Sequence, residues 1–204
     1  MRERPILFNT EMVQALLAGR KTCTRRLVKF LPGKNPQWTG YIKDGLMLYN
    51  GKNEPCIRKA PYQPEDILYV RETWFKDVDR YMYRANYFDR EKFYRDSKEI
   101  EMKWKPSIHM PKEAARIWLK VTDVRVERLQ DITEAEATLE GAINNIAFIH
   151  SPDDEYDHIH TAREHFIDIW NSTIKKGYLD KYGWDANPFV WVIEFEWCEK
   201  PGKE

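Results

Sequence analysis

The chain has 204 residues, with 33 Lys+Arg against 33 Asp+Glu, so its formal net charge is zero. That balance excludes a uniformly basic nucleic-acid coat and an acidic tail, while leaving room for a local basic site. Aromatic residues reach 14%, with 8 Trp, a content that disordered chains do not carry, and the apolar runs are too short to span a membrane.

The length suits one large domain or two small ones, and we expect a single domain over 1–204. The opening Met1-Arg-Glu-Arg-Pro5 leads into no long apolar run, so no secretory signal is expected. Cys23, Cys56 and Cys198 are an odd number at wide spacing, without a Cys-x-x-Cys pair. A reduced, cytoplasmic thiol set is the simplest reading.

In chain order, residues 5–8 (Pro-Ile-Leu-Phe) predict a short buried strand. Asn9 and Thr10 are cap residues, Met12, Val13, Leu16 and Leu17 share one helical face, and Gly19 sits where a helix stops. The Thr/Cys/Thr alternation of Arg20-Lys-Thr-Cys-Thr-Arg-Arg26 favours extended chain. Residues 31–65 are Pro- and Gly-rich and read as an insertion. Within it Tyr41-Ile-Lys43 and Leu46-Met-Leu-Tyr49 flank Asp44-Gly45, the preferred type I′ hairpin turn. Ile67 to Trp74 predicts a strand. Residues 75–112, rich in charge and Tyr, predict a second insertion with a hairpin and an irregular return.

Ala115 to Thr122 alternates as a core strand, and Val124 to Leu129 continues extended. Thr133 with Glu136 forms a capping box, predicting a helix from Glu134 that stops near Gly141. Thr161 with Glu164 repeats the box, and Phe166, Ile169 and Trp170 give that helix its apolar face. The last strand follows Pro188, with Phe189, Trp191, Ile193, Phe195 and Trp197 on one side. Strands outnumber short helices. The expected class is α+β, mainly β: a small, partly open β-barrel with short capping helices and a large insertion.

Four places offer chemistry. Arg20, Lys21, Arg25 and Arg26 put four cations in seven residues. Mutual repulsion and burial push a lysine toward neutrality, and a neutral lysine can serve as base for a threonine hydroxyl such as that of Thr24. The same residues also read as a basic turn, solvated or gripping a phosphate, and spacing alone favours that plainer reading. Glu140, at a helix C-terminus, faces the negative end of the dipole, which suits a proton donor; the alternative is an exposed surface glutamate. In Arg71-Glu-Thr-Trp74, alternation puts Glu72 and Trp74 on one face, where they can hold a base. The alternative there is a core aromatic beside an ion pair. His158-Ile-His160 with His165 lies in loop-like sequence that fixes no ligand geometry, so no metal site is expected. Trp38 and Trp104, in loop-like segments, are further stacking platforms.

These segments together resemble the ASCH domain family, whose fold is the PUA-like β-barrel. The resemblance rests on Pro5-Ile-Leu-Phe-Asn-Thr10 followed by Gly19-Arg-Lys-Thr22, and on Pro64-Glu-Asp-Ile-Leu-Tyr-Val-Arg-Glu-Thr-Trp74. It extends to Asp131-Ile-Thr-Glu-Ala-Glu-Ala-Thr-Leu-Glu-Gly141 and to Trp184-Asp-Ala-Asn-Pro188 with Trp191-Val-Ile-Glu-Phe195. Trp104-Lys-Pro-Ser-Ile-His-Met-Pro111 is similar to a longer branch of bacteriophage and prophage genomes. The resemblance implies binding to RNA or modified nucleosides in the cytoplasm of a bacterium or phage-infected host, with no cofactor and no metal. A shorter branch contains amidohydrolases that deacetylate N4-acetylcytidine with a lysine proton acceptor, a threonine nucleophile and a glutamate proton donor. Those roles fall on Lys21, Thr24 and Glu140, with Arg20, Arg25, Arg26, Arg71, Glu72 and Trp74 as substrate or nucleic-acid contacts. Two other readings compete: a binding module that holds RNA or a modified base without turnover, and a phage morphogenesis or host-interaction protein with a protein partner.

Overall fold

The computed structural model describes residues 2–34, 41–43, 47–49, 54–87, 103–146 and 159–202. Asp44-Gly45, Trp38, His158 and the middle of the 75–112 insertion lie outside these residues.

The fold is mixed α and β. Its main sheet contains β1 (Glu3–Leu7), β2 (Cys23–Leu27), β5 (Ile67–Arg71), β8 (Trp118–Arg128) and β11 (Phe189–Trp197), in the order β1-β5-β8-β11-β2. β1 and β5 are parallel and the β5–β8 and β11–β2 pairs are antiparallel. Among the described residues the sheet ends on β1 and β2 and is not closed into a barrel. Three two-stranded sheets accompany it: β3 (Tyr41–Lys43) with β4 (Met47–Tyr49), β6 (Trp74–Lys76) with β7 (Tyr81–Tyr83), and β9 (Asn145–Ile146) with β10 (Ile159–His160). The first is the expected pairing of these two segments, but with Tyr41 opposite Tyr49 and Lys43 opposite Met47 it leaves three residues between them, where a two-residue Asp44-Gly45 turn would put Lys43 opposite Leu46. Among the described residues no helix is long and apolar enough to cross a membrane.

The chain divides into two compact units. One comprises Met1–Gly19, Pro64–Thr122 and Phe195–Glu204; the other comprises Arg20–Gln63 and Asp123–Glu194. In the first, helix α1 (Thr10–Leu17) begins where Asn9 Oδ1 accepts from the Met12 amide at 2.9 Å. It buries Met12, Val13, Ala15 and Leu16 and ends at Gly19, whose φ of +69° a side chain would resist. A second cluster joins Ile67, Trp74, Met110 and Trp118.

In the second unit, helix α2 (Glu134–Leu139) and helix α3 (Ala162–Thr173) both start at the predicted capping boxes. Ala137 of α2 and Ala162, Phe166 and Trp170 of α3 pack with Val190 and Val192. Helix α4 (Leu179–Tyr182) is tied to α3, since Trp170 Nε1 donates to the Tyr182 carbonyl at 2.9 Å.

Three strand expectations change. The strand from Ile67 stops at Arg71, because the Glu72 amide turns to Met110 Sδ at 3.2 Å and Trp74 bonds to Lys105 instead. Glu72 and Trp74 stay buried across this break, which is why alternation hid it. The next strand begins at Trp118, not Ala115, since a 3-10 turn at Lys112–Ala114 holds the Ala115 amide. It then runs unbroken to Arg128. Finally, β11 buries both faces from Val190 to Ile193, because helices cover Val190 and Val192, while Trp197 lies past the pairing with β2 and is 48% exposed.

The Thr161 cap is worth about 1 kcal/mol. Thr161→Ala should lower the unfolding free energy by that amount, moving the denaturant midpoint down with an unchanged m-value, as urea titration followed by circular dichroism would show.

Candidate functional site

Residues 20–22 lie against the C-terminal end of α2. The Thr22 amide donates to the Leu139 carbonyl at 2.9 Å, Lys21 Nζ to the Glu140 carbonyl at 2.6 Å, and Arg20 Nη1 to the Gly141 carbonyl at 2.9 Å. The last carbonyls of a helix have no partner within it and carry partial negative charge, so a segment rich in cations fits there. Gly141, at φ +98°, ends the helix in the left-handed region.

The same approach brings Lys21 to the Glu140 side chain. Lys21 Nζ donates to Oε2 at 2.9 Å, and Arg25 Nη1 donates to Oε1 at 3.4 Å. All three residues are buried: Lys21 is 2% exposed, Arg25 4% and Glu140 5%. Glu140 is thus no surface glutamate, and Lys21 has a carboxylate partner as well as cationic neighbours. Arg25 Nη2 also lies 3.4 Å from Glu127 and 3.5 Å from Glu136, while its buried Nε has no hydrogen-bond partner among the described residues.

Arg125 extends the network to Asp123, Glu127, Glu136 and Glu194. Three cations (Lys21, Arg25, Arg125) therefore meet five carboxylates (Asp123, Glu127, Glu136, Glu140, Glu194). Burial pushes the Glu136 carboxyl up, but the Thr133 amide and the Arg25 guanidinium outweigh it and hold it below the usual range. Burial first, and then the Glu140 charge, push the Cys23 thiol up to about 12.

Thr24 is buried but faces elsewhere. On β2 it pairs with Ile193, whereas Arg25 pairs with Val192. Alternation therefore puts Thr24 and Arg26 on one face of the strand and Cys23 and Arg25, with Glu140, on the other. Among the described residues no side-chain hydrogen bond joins Thr24 to Lys21 or Glu140. Arg26 is half-buried.

Arg71, Glu72 and Trp74 belong to the other unit. Arg71 Nη2 donates to the Ile108 carbonyl. Both Glu72 oxygens accept from the Arg116 fork, at 2.8 and 2.9 Å. Trp74 is 5% exposed and packs against Tyr81 with centroids 5.8 Å apart, and its Nε1 has no hydrogen-bond partner among the described residues. Trp104 packs against Tyr87 at 5.6 Å. His165 Nδ1 accepts from the Ile143 amide, and among the described residues no cluster of His, Cys, Asp or Glu is arranged to hold a metal.

The sequence reading named Lys21, Arg25 and Glu140 but missed Arg125, Glu127, Glu136 and Glu194 as their partners. A signal was present: alternation from Asp123 to Glu127 puts three charged residues on one face of a strand otherwise apolar at Val124 and Val126. Comparison of the chain with protein-family models, curated proteins and solved structures gives no match.

Removing one partner of a buried pair leaves an uncompensated charge. Glu140→Ala removes the carboxylate paired with buried Lys21, while Arg25 keeps Glu127 and Glu136, and should cost about 3–5 kcal/mol. Urea unfolding at pH 7 checks this; a loss below about 1 kcal/mol, the value of an exposed pair, would mean the pair is solvated.

Proposed function

We propose that this chain is an ASCH-type protein on a PUA-like sheet, acting on RNA or modified nucleosides, and that Lys21 and Glu140 deacylate an N-acylated base. The supporting observation is the buried ion pair between Lys21 Nζ and Glu140 Oε2 at 2.9 Å. Paired titratable groups withdrawn from water are a common mark of a reactive site, and structural networks share it. The motif resemblance supplies the substrate class.

The roles follow from the ion-paired state. Lys21 donates to Glu140, so the carboxylate serves as base and the ammonium as hydrogen-bond donor. A water oxygen attacks the acyl carbonyl carbon while Glu140 takes the water proton. Lys21 donates to the carbonyl oxygen as negative charge grows there. The carbon–nitrogen bond breaks, and Glu140 passes the proton to the leaving exocyclic nitrogen. The products are the free base amine and the carboxylic acid. Exclusion of bulk water strengthens each of these interactions. Thr24 faces away from Glu140 on β2, so this reading gives the attack to water and leaves Thr24 a packing role.

The test is release of cytidine and acetate from N4-acetylcytidine, followed by chromatography. Glu140→Gln and Lys21→Ala should each lower kcat/KM by about 100-fold or more. Thr24→Val should retain turnover. Loss of turnover in Thr24→Val would make the threonine the nucleophile. A wild type inert on N4-acetylcytidine and other N-acylated nucleosides would overturn the deacylase reading.

A further inference from the structure

The second unit holds a cavity of about 700 Å³ that the Lys21–Glu140 chemistry does not use. That volume is in the range of small-ligand sites. Its walls come from the residues around the end of β2, the end of β8, helix α4 and the start of β11. Their chemistry is divided. Phe30, Tyr182 and Phe189 supply aromatic surface, and the Phe30 and Phe189 centroids lie 6.4 Å apart. Lys34, Arg128 and Lys181 supply positive charge against one carboxylate, Asp180.

Two of the cations have donors to offer. The Arg128 guanidinium stacks on Phe189, 3.7 Å from the ring centroid, and Nη1 donates to the Asn187 carbonyl at 3.0 Å. These contacts orient the fork, and its Nε and Nη2 make no hydrogen bond among the described residues. Lys181 is exposed, lies 5.3 Å from the Tyr182 centroid, and has no ion-pair partner among the described residues. Lys34 is held by Glu54 at 2.8 Å and contributes less.

We infer that this cavity binds a nucleotide, its planar base against Phe30, Tyr182 and Phe189 and its phosphate on Arg128 and Lys181. Aromatic faces stack any base, and a preoriented guanidinium matches phosphate with two parallel donors. Asp180 is placed to accept from an exocyclic amine or a ribose hydroxyl. An apolar ligand would leave the cations unused, and an inorganic anion would leave the aromatic wall unused. The inference is independent of the deacylation reading.

The test is a titration of the ¹⁵N-labelled full chain with cytidine 5′-monophosphate and, separately, with a short single-stranded oligocytidine RNA. Cytidine and inorganic phosphate serve as partial probes. Shifts are expected at the amides of Leu27, Val28, Tyr182 and Phe189, with each partial probe weaker than the monophosphate. Lys181→Glu, an exposed change that leaves Lys21 and Glu140 intact, should weaken binding by about tenfold or more. Lys34→Ala should weaken it less. Binding of the monophosphate identifies a free nucleotide as the ligand, and binding of the RNA alone identifies a nucleotide unit of a strand. Binding of neither, shifts away from these amides, or affinity unchanged in Lys181→Glu would overturn the inference.

Discussion

The carboxylate of Glu140 is shared between Lys21 Nζ and Arg25 Nη1, and the local structure of the second unit depends on that sharing. Placing a carboxylate at a helix C-terminus adds negative charge where the dipole is already negative. Burying it adds a desolvation penalty. Two buried cations offset both, and the segment that brings them also satisfies the carbonyls of residues 139–141. One carboxylate thus joins the end of α2, the approach to β2 and β2 itself. An apolar residue at 140 would take the carboxylate away from Lys21 and leave Arg25 with Glu127 and Glu136 alone.

Parts of this were legible because they are local. The capping boxes at Thr133 and Thr161 and the stop at Gly19 need only residues a few positions apart, and they sit where the spacing puts them. The face of Thr24 also follows from strand alternation alone. What the sequence did not show are contacts between distant segments. Lys21 meets Glu140 across 119 positions and Arg25 meets Glu127 across 102. Nothing in the run of cations around Lys21 says that carboxylates wait for them, so the run reads as repulsive. The cavity wall is likewise assembled from Phe30, Arg128, Lys181 and Phe189, which no short motif connects. The break after Arg71 escaped notice for a different reason: the buried-exposed rhythm continues through it.

Charge is divided within the second unit. Around Glu140 the carboxylates outnumber the cations, and Lys21 and Arg25 form ion pairs within the protein. The cavity near Phe189 has the reverse balance, with three cations to one carboxylate. A chain of zero net charge can therefore present a carboxylate-rich network around a buried Lys21–Glu140–Arg25 core and a separate positive, aromatic cavity. In the proposed function the first performs the proton transfers. The second takes no part in those transfers and carries the separate inference of a nucleotide site.

The central claim is that Lys21 and Glu140 act as one unit, and a double-mutant cycle on deacylation tests it most directly. Rates on N4-acetylcytidine would be measured for the wild type, Lys21→Ala, Glu140→Gln and the double variant. Residues that form a single acid–base pair are strongly non-additive, so the double variant should be no slower than the slower single one. Independent losses that multiply, or an absence of wild-type turnover, would contradict the account.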